Sequence, residues 1–212
     1  MTTRTEKQKM LAGELYRAGD PELQQDRAAA AAWMVRYNAS LGASSAARHA
    51  LLRERLRAVG HAAAIRPPFH CDYGYNISLG PDVFLNFGCI VLDVVAVTIG
   101  AATQIGPAVQ ILTADHPRDP AQRRQGAEFG RPIVIGQNVW IGGGALILPG
   151  ITIGDDAIIG AGSIVTRDIP PGATATGNPA RMNALLQTSR IYHNSDLDIR
   201  ISWQAHAPLH QG

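Results

Sequence analysis

Residues 132–167 read PIVIGQNVWIGGGALILPGITIGDDAIIGAGSIVTR. An aliphatic residue returns at every sixth position: Ile135, Ile141, Ile147, Ile153, Ile159 and Val165. Two places before each stands a smaller or branched residue: Ile133, Val139, Ala145, Ile151, Ala157 and Ser163. Glycine follows at Gly136, Gly142, Gly154 and Gly160. An amphipathic helix would place apolar residues at i, i+3, i+4 and i+7, and a half-buried strand would alternate. A period of six belongs to the hexapeptide class of β-helix repeats. Each unit is a short strand and a turn, three units make one triangular coil, and the coils stack.

The same rhythm runs upstream. Leu79, Leu85 and Val91 occupy inward positions, with Ile77, Val83 and Cys89 two places earlier. A two-residue slip falls near Val94 and Val95, and Ile99, Ile105 and Ile111 then resume with Val97, Thr103 and Val109 before them. The twelve inward positions through Val165 are all Leu, Ile or Val. One large break interrupts them: 24 residues separate Ile111 from Ile135 where six would suffice. The surplus, residues 112–132, leaves the coil as a loop carrying His116. A long excursion from a rigid scaffold is a place to look for function.

Before the repeat, residues 3–59 read as helical. A first helix is expected in TEKQKMLAGELYRAG, ended by Gly19. Asp20-Pro21-Glu22 is a start signal, with an N-cap, proline at N1 and an acid in the first turn. That second helix is expected to reach about Tyr37, helped by the alanines at 28–32. A third, capped by Ser44 or Ser45, is expected to run through Val59 to a glycine stop at Gly60. The arginines at 48, 53, 55 and 57 read as a solvated face. The segment DIPPGATATGNPARM is turn-rich and reads as departing from the repeat. The expected organisation is a helical cap over residues 1–62, a β-helix over 63–186, and an extension over 187–212. The extension is expected to be a poorly ordered tail, the alternative being a short strand at Ile199-Arg200-Ile201.

Composition narrows the function classes. At 46% hydrophobic residues the 212-residue chain can bury a sizeable core. A net charge of +2 makes no case for nucleic acid. The two cysteines, Cys71 and Cys89, make no disulfide framework in a chain of this length, and a reducing compartment is expected. The N-terminus is polar without an apolar core, so no secretory signal is expected, and no run is long enough to span a membrane. Cytoplasmic localisation follows as an expectation. His49, His61, His70, His193, His206 and His210 show no metal-ligand spacing, so no metal site is expected.

AGELYRAGDPEL, FHCDYGYNISLG, NFGCIVLDV, TADHP, IGQNVWIGGGALILPGITIG and GNPARM, in that order, resemble the maltose and galactoside O-acetyltransferases of the hexapeptide-repeat acyltransferases. The maltose type looks closest, and the resemblance covers about residues 5–186. It implies a left-handed parallel β-helix with an N-terminal helical cap. It also implies a homotrimer with sites at subunit interfaces, and acetyl-CoA as co-substrate. The implied reaction is acetyl transfer to a hydroxyl, expected to be the 6-hydroxyl, of maltose, glucose or a related glycoside. Another acceptor (oligosaccharide, polyol or antibiotic) and a non-catalytic β-helix scaffold are the alternatives.

Such a transfer needs a base for the hydroxyl proton, donors for the oxyanion, and two aligned substrates. TADHP matches the segment with the family's catalytic histidine, which makes His116 the expected base. An imidazole suits proton transfer near neutrality. Asn86, Asp72 and Asp93 fall at or near acceptor-sugar positions, with turn formation as the other reading of both aspartates. Asp20 is either an acceptor contact or only a helix cap. Glu128 is expected to orient His116 or to bind sugar, with a solvated loop acid as the alternative. Trp140, at an outward position, is expected to line the coenzyme channel. Gly143 supplies the expected oxyanion N–H. Ala161, Thr166, Arg167 and Arg181 match coenzyme-contacting positions, the arginines suiting phosphates.

Overall fold

The structure, a computed structural model, describes residues 4–183. The expectations for residues 187–212 lie outside the described residues. Three parallel faces form the body. The first face holds Ala58–Val59, Ile77–Leu79, Val97–Ile99, Ile133–Ile135 and Thr152–Ile153. The second holds Ala64–Ile65, Phe84–Leu85, Gln104–Ile105, Trp140–Ile141, Ile158–Ile159 and Thr174–Thr176. The third holds Phe69–Cys71, Cys89–Leu92, Gln110–Leu112, Leu146–Ile147 and Ile164–Val165.

Stacking is in register, so inward positions fall directly over one another. Leu79, Ile99, Ile135 and Ile153 form one column. Leu85, Ile105, Ile141 and Ile159 form the second, continued by Ala175. Val91, Ile111, Ile147 and Val165 form the third. All are buried. Removal of apolar area from water is the dominant favourable term in folding. The corners must let coils approach closely. A Cβ on Gly142 would lie 2.5 Å from the backbone nitrogen of Ala161 in the next coil.

The helical cap closes the first coil. Helix α1 (Glu6–Leu11) starts with a capping box at Thr5 and Gln8. Helix α2 (Pro21–Asn38) is capped by Asp20, which accepts the Glu22 N–H at 3.0 Å. Helix α3 (Ser45–Arg55) is capped by Ser44. Trp33 and Tyr37 of α2 stack at 5.0 Å and bury against Phe69. The open edge of the coil is satisfied by side chains. Tyr37 donates to the Ile65 carbonyl at 2.7 Å, and Asn38 both donates to and accepts from the Phe69 backbone.

Three expectations are corrected. The first helix ends at Leu11, because Gly13 turns the chain at φ +72° and Tyr16–Arg17 pairs as a strand with the loop. The third helix ends at Arg55, because Ala58–Val59 pairs in parallel with Ser78 and Leu79. Gly60 is therefore the first coil corner, where a Cβ would sit 2.3 Å from the Pro81 nitrogen. The chain does not leave the repeat after Arg167. Ile169 bridges Ile153, and Thr174–Thr176 extends the second face before Arg181–Met182 folds back antiparallel. Buried Ile169 and Ala175 carry the inward pattern there.

The loop is ordered. Ala114–Asp115 and Ala127–Gly130 pair antiparallel, with helix α4 (Pro120–Arg124) between them, and Tyr16–Arg17 adds a third strand. Ile141→Ala should open a cavity in the second column and cost about 2–5 kcal/mol. Chemical denaturation measures it, and a cost under about 1 kcal/mol would contradict the columnar core.

Candidate active site

The corner between the third and first faces is organised by Asp93. Its side chain is fully buried and accepts backbone N–H groups of Asp72 (3.1 Å), Tyr73 (2.9 Å) and Asn76 (3.3 Å). The Asn76 amide donates in turn to the Asp93 carbonyl at 2.7 Å. This corrects the reading of Asp93 as a sugar contact: no face of it is open to a ligand, and it shapes the 72–76 turn instead. One coil higher, Thr113 donates to the Leu92 carbonyl at 2.6 Å, and the loop departs from there.

Asp72 stays half-buried on the turn below Asp93. Burial pushes its carboxyl up to about 6; Arg27 opposes this and Glu128 adds to it. Burial likewise raises Asp93 to about 7, against the pull of the N–H groups of Tyr73 and Asn76. Glu128 accepts a hydrogen bond from the Tyr16 hydroxyl. Burial and then that carboxylate push the Tyr16 phenol far above its ordinary range, so it remains a donor. His116 is exposed and immediately follows the Ala114–Asp115 strand. Asp115 ties the base of the loop, accepting the His116 N–H at 2.8 Å and pairing with Arg131 at 2.8 Å.

A second group of expected residues lies at the corner between the second and third faces. Asn86 follows Leu85 there, its side-chain oxygen accepting the Phe87 N–H at 2.9 Å. Two coils above, the Gly143 N–H has no hydrogen-bond acceptor among the described residues. Ala161 is exposed at the next step of that column. Trp140 stands outward on the second face, 58% exposed, between Gln104 and Ile158. Thr166 and Arg167 are exposed after the last third-face strand, and Arg181 is exposed on the closing hairpin. Asp20 is occupied as a helix cap.

The structure thus brings Glu128 and Asp72 to one corner, with His116 on the loop that leaves it, and Asn86, Gly143 and Ala161 to another, with the third face between. It adds residues that the sequence reading did not single out: Tyr16, Arg27 and Tyr73. All three come from parts of the chain distant from the loop, and the one available signal was Gly13 as an early helix breaker. The thiols are inert by position; burial raises both, Cys89 to about 11. Among the described residues no cluster of His, Cys, Asp or Glu could hold a metal ion, and no helix is long and apolar enough to cross a membrane.

An in-register hexapeptide coil with a helical cap and a histidine-bearing loop defines a hexapeptide-repeat acyltransferase. Residues 9–60 match the maltose acetyltransferase hexapeptide capping motif, and residues 132–167 match six repeats of the bacterial transferase hexapeptide. The chain is 63% identical over 180 residues to Nodulation protein L of Rhizobium meliloti (strain 1021), covering 85% of this chain and 98% of that protein. It also resembles a maltose O-acetyltransferase from Clostridium difficile 630, with TM-score 0.83, 46% identity, and coverage of 86% and 97%. A galactoside acetyltransferase in complex with coenzyme A gives TM-score 0.81 and 37% identity, covering 85% of this chain and 90% of that one. The chain belongs to the maltose and galactoside O-acetyltransferase family.

The raised carboxyls have a consequence for stability. An unfolded aspartate titrates near ~3.9, so folding favours the neutral form of both Asp72 and Asp93. Their contribution is fully present below about pH 4 and is lost as pH rises through about 6 and about 7. The melting temperature should therefore fall less steeply between pH 5 and 8 in Asp93→Asn than in the wild type. Identical slopes would refute the burial of an ionisable Asp93.

Proposed function

We propose that this chain transfers the acetyl group of acetyl-CoA to a sugar hydroxyl, the 6-hydroxyl of maltose, glucose or a related glycoside. The observation that carries this is the exposed His116 at the end of the Ala114–Asp115 strand, on a loop whose returning strand carries Glu128. His116 takes the proton as the sugar oxygen attacks the thioester carbonyl. The tetrahedral oxyanion is met by the free N–H of Gly143. Its collapse breaks the carbon–sulfur bond, and the departing thiolate takes up the proton.

The two corners argue for a site built between subunits. Within one chain His116 and Gly143 are separated by the third face, so a homotrimer in which one protomer's loop corner meets its neighbour's Asn86–Gly143 corner assembles the set. Trp140 forms a wall of the coenzyme channel, with Ala161 and Thr166 beside it. Arg167 and Arg181 suit the coenzyme phosphates. Asp72 binds sugar hydroxyls as an acceptor, Glu128 either orients His116 or does the same, and Asn86 both donates and accepts. A different acceptor, such as an oligosaccharide, is the second reading; the higher identity to Nodulation protein L favours it.

His116→Ala should lower turnover by at least ~100-fold while leaving the trimer intact. A thiol-release assay with acetyl-CoA and a panel of sugars measures this, and near wild-type turnover in a folded trimer would refute the assignment. In the same assay Trp140→Ala should raise the KM for acetyl-CoA more than it changes kcat. Equal effects on the sugar KM would move Trp140 to the acceptor side.

A further inference from the structure

Tyr16 belongs to the cap, yet it sits in the loop's own sheet. Its register partner is Glu128, and the opposite edge pairs Ala114 with Gly130 and Asp115 with Phe129. The paired residues end at Asp115 and Phe129; His116 is the next residue beyond one strand and Glu128 the next along the other, so continuing the ladder by one step would set them opposite each other. Directly opposed residues of antiparallel strands project to the same side. Tyr16 and Glu128 therefore project to one side of the sheet, and His116 follows the strand on the sheet's far edge by one residue. Tyr16 is 1% exposed and donates its hydroxyl to one Glu128 oxygen, the two residues lying 112 positions apart in the chain. Its strand is pinned by Glu6, which accepts the Arg17 N–H at 2.6 Å, and by the Ala18 N–H donating to the Gly126 carbonyl at 3.4 Å.

We infer that Tyr16 is a positioning residue for acetyl transfer: its hydroxyl fixes one oxygen of Glu128 and aims the other at the imidazole of His116. This rests on His116 as the base. A carboxylate beside one ring N–H selects the tautomer whose other nitrogen is free to accept the sugar proton. The cap would then do more than close the coil, since the chain's first strand sets the geometry of a loop about a hundred residues later.

The test is a double-mutant cycle on the full chain, reading kcat and both KM values for Tyr16→Phe, Glu128→Gln, the pair together, and His116→Ala. Tyr16→Phe keeps the buried ring and should lower kcat by about 10-fold, the scale of one hydrogen bond to a charged group. Its KM for acetyl-CoA should stay unchanged. Glu128→Gln should lose as much or more, and the double variant should match Glu128→Gln alone. Additive losses, or a wild-type kcat in Tyr16→Phe, would overturn the inference. A wild-type kcat in Glu128→Gln would overturn it even if Tyr16→Phe failed to fold. Full activity in His116→Ala would instead remove the base assignment on which it stands, whereas an inactive His116→Ala with an unaffected Tyr16→Phe removes only the clamp.

Discussion

Everything in this molecule depends on inward side chains lying directly above one another. A parallel coil buries Leu85 under Ile105 under Ile141 only if each circuit returns to the same register. A slip of one residue along a strand would send the aliphatic row to solvent. The constraint explains the glycines at close corners. It also explains why any added sequence must enter and leave at a corner. The 112–132 excursion obeys this, departing after Gln110–Leu112 and rejoining at Ile133–Ile135.

The corner that releases the loop is itself held by polar groups. Asp93 gathers three backbone N–H donors of the turn below, and Thr113 does similar work one coil higher. Asp93, Asn76 and Thr113 are tolerated there because each is partnered, whereas the buried Tyr73 hydroxyl has no partner among the described residues; the partnered groups fix a backbone path that aliphatic packing alone would leave free. Asp72 is carried on that path. The acidic wall facing the loop is therefore built from the inside: a buried aspartate shapes the turn, the turn presents Asp72, and the loop returns Glu128 beside it.

Local signals served well where they reflected local causes. Asp20-Pro21 starts α2 because the cap needs only neighbouring N–H groups, and Ser44 starts α3 for the same reason. They failed where a distant strand competed. Tyr16–Arg17 looks helical by composition but gains a ladder with Ala127–Gly130, and Ala58–Val59 gains one with Ile77–Leu79. The residues after Arg167 look like a loop because proline and glycine crowd them. Ile169 and Ala175 nonetheless find inward places waiting on the coil below. Among the candidate residues, Asp93 could not be told from Asp72 in sequence, since both are aspartates at a coil corner; depth in the fold separates them.

The sequence by itself determined the coil, the position of its one large excursion and the histidine within it. These follow from a six-residue period that repeats along the chain and needs no knowledge of distant contacts. Only the tertiary structure decided which acids face outward, that the cap supplies a strand to the loop, and that the expected site residues divide between two corners. Those outcomes depend on which segments, 20 to 112 residues apart, meet in space. No periodicity encodes such a meeting, because it is set by the closure of the whole coil.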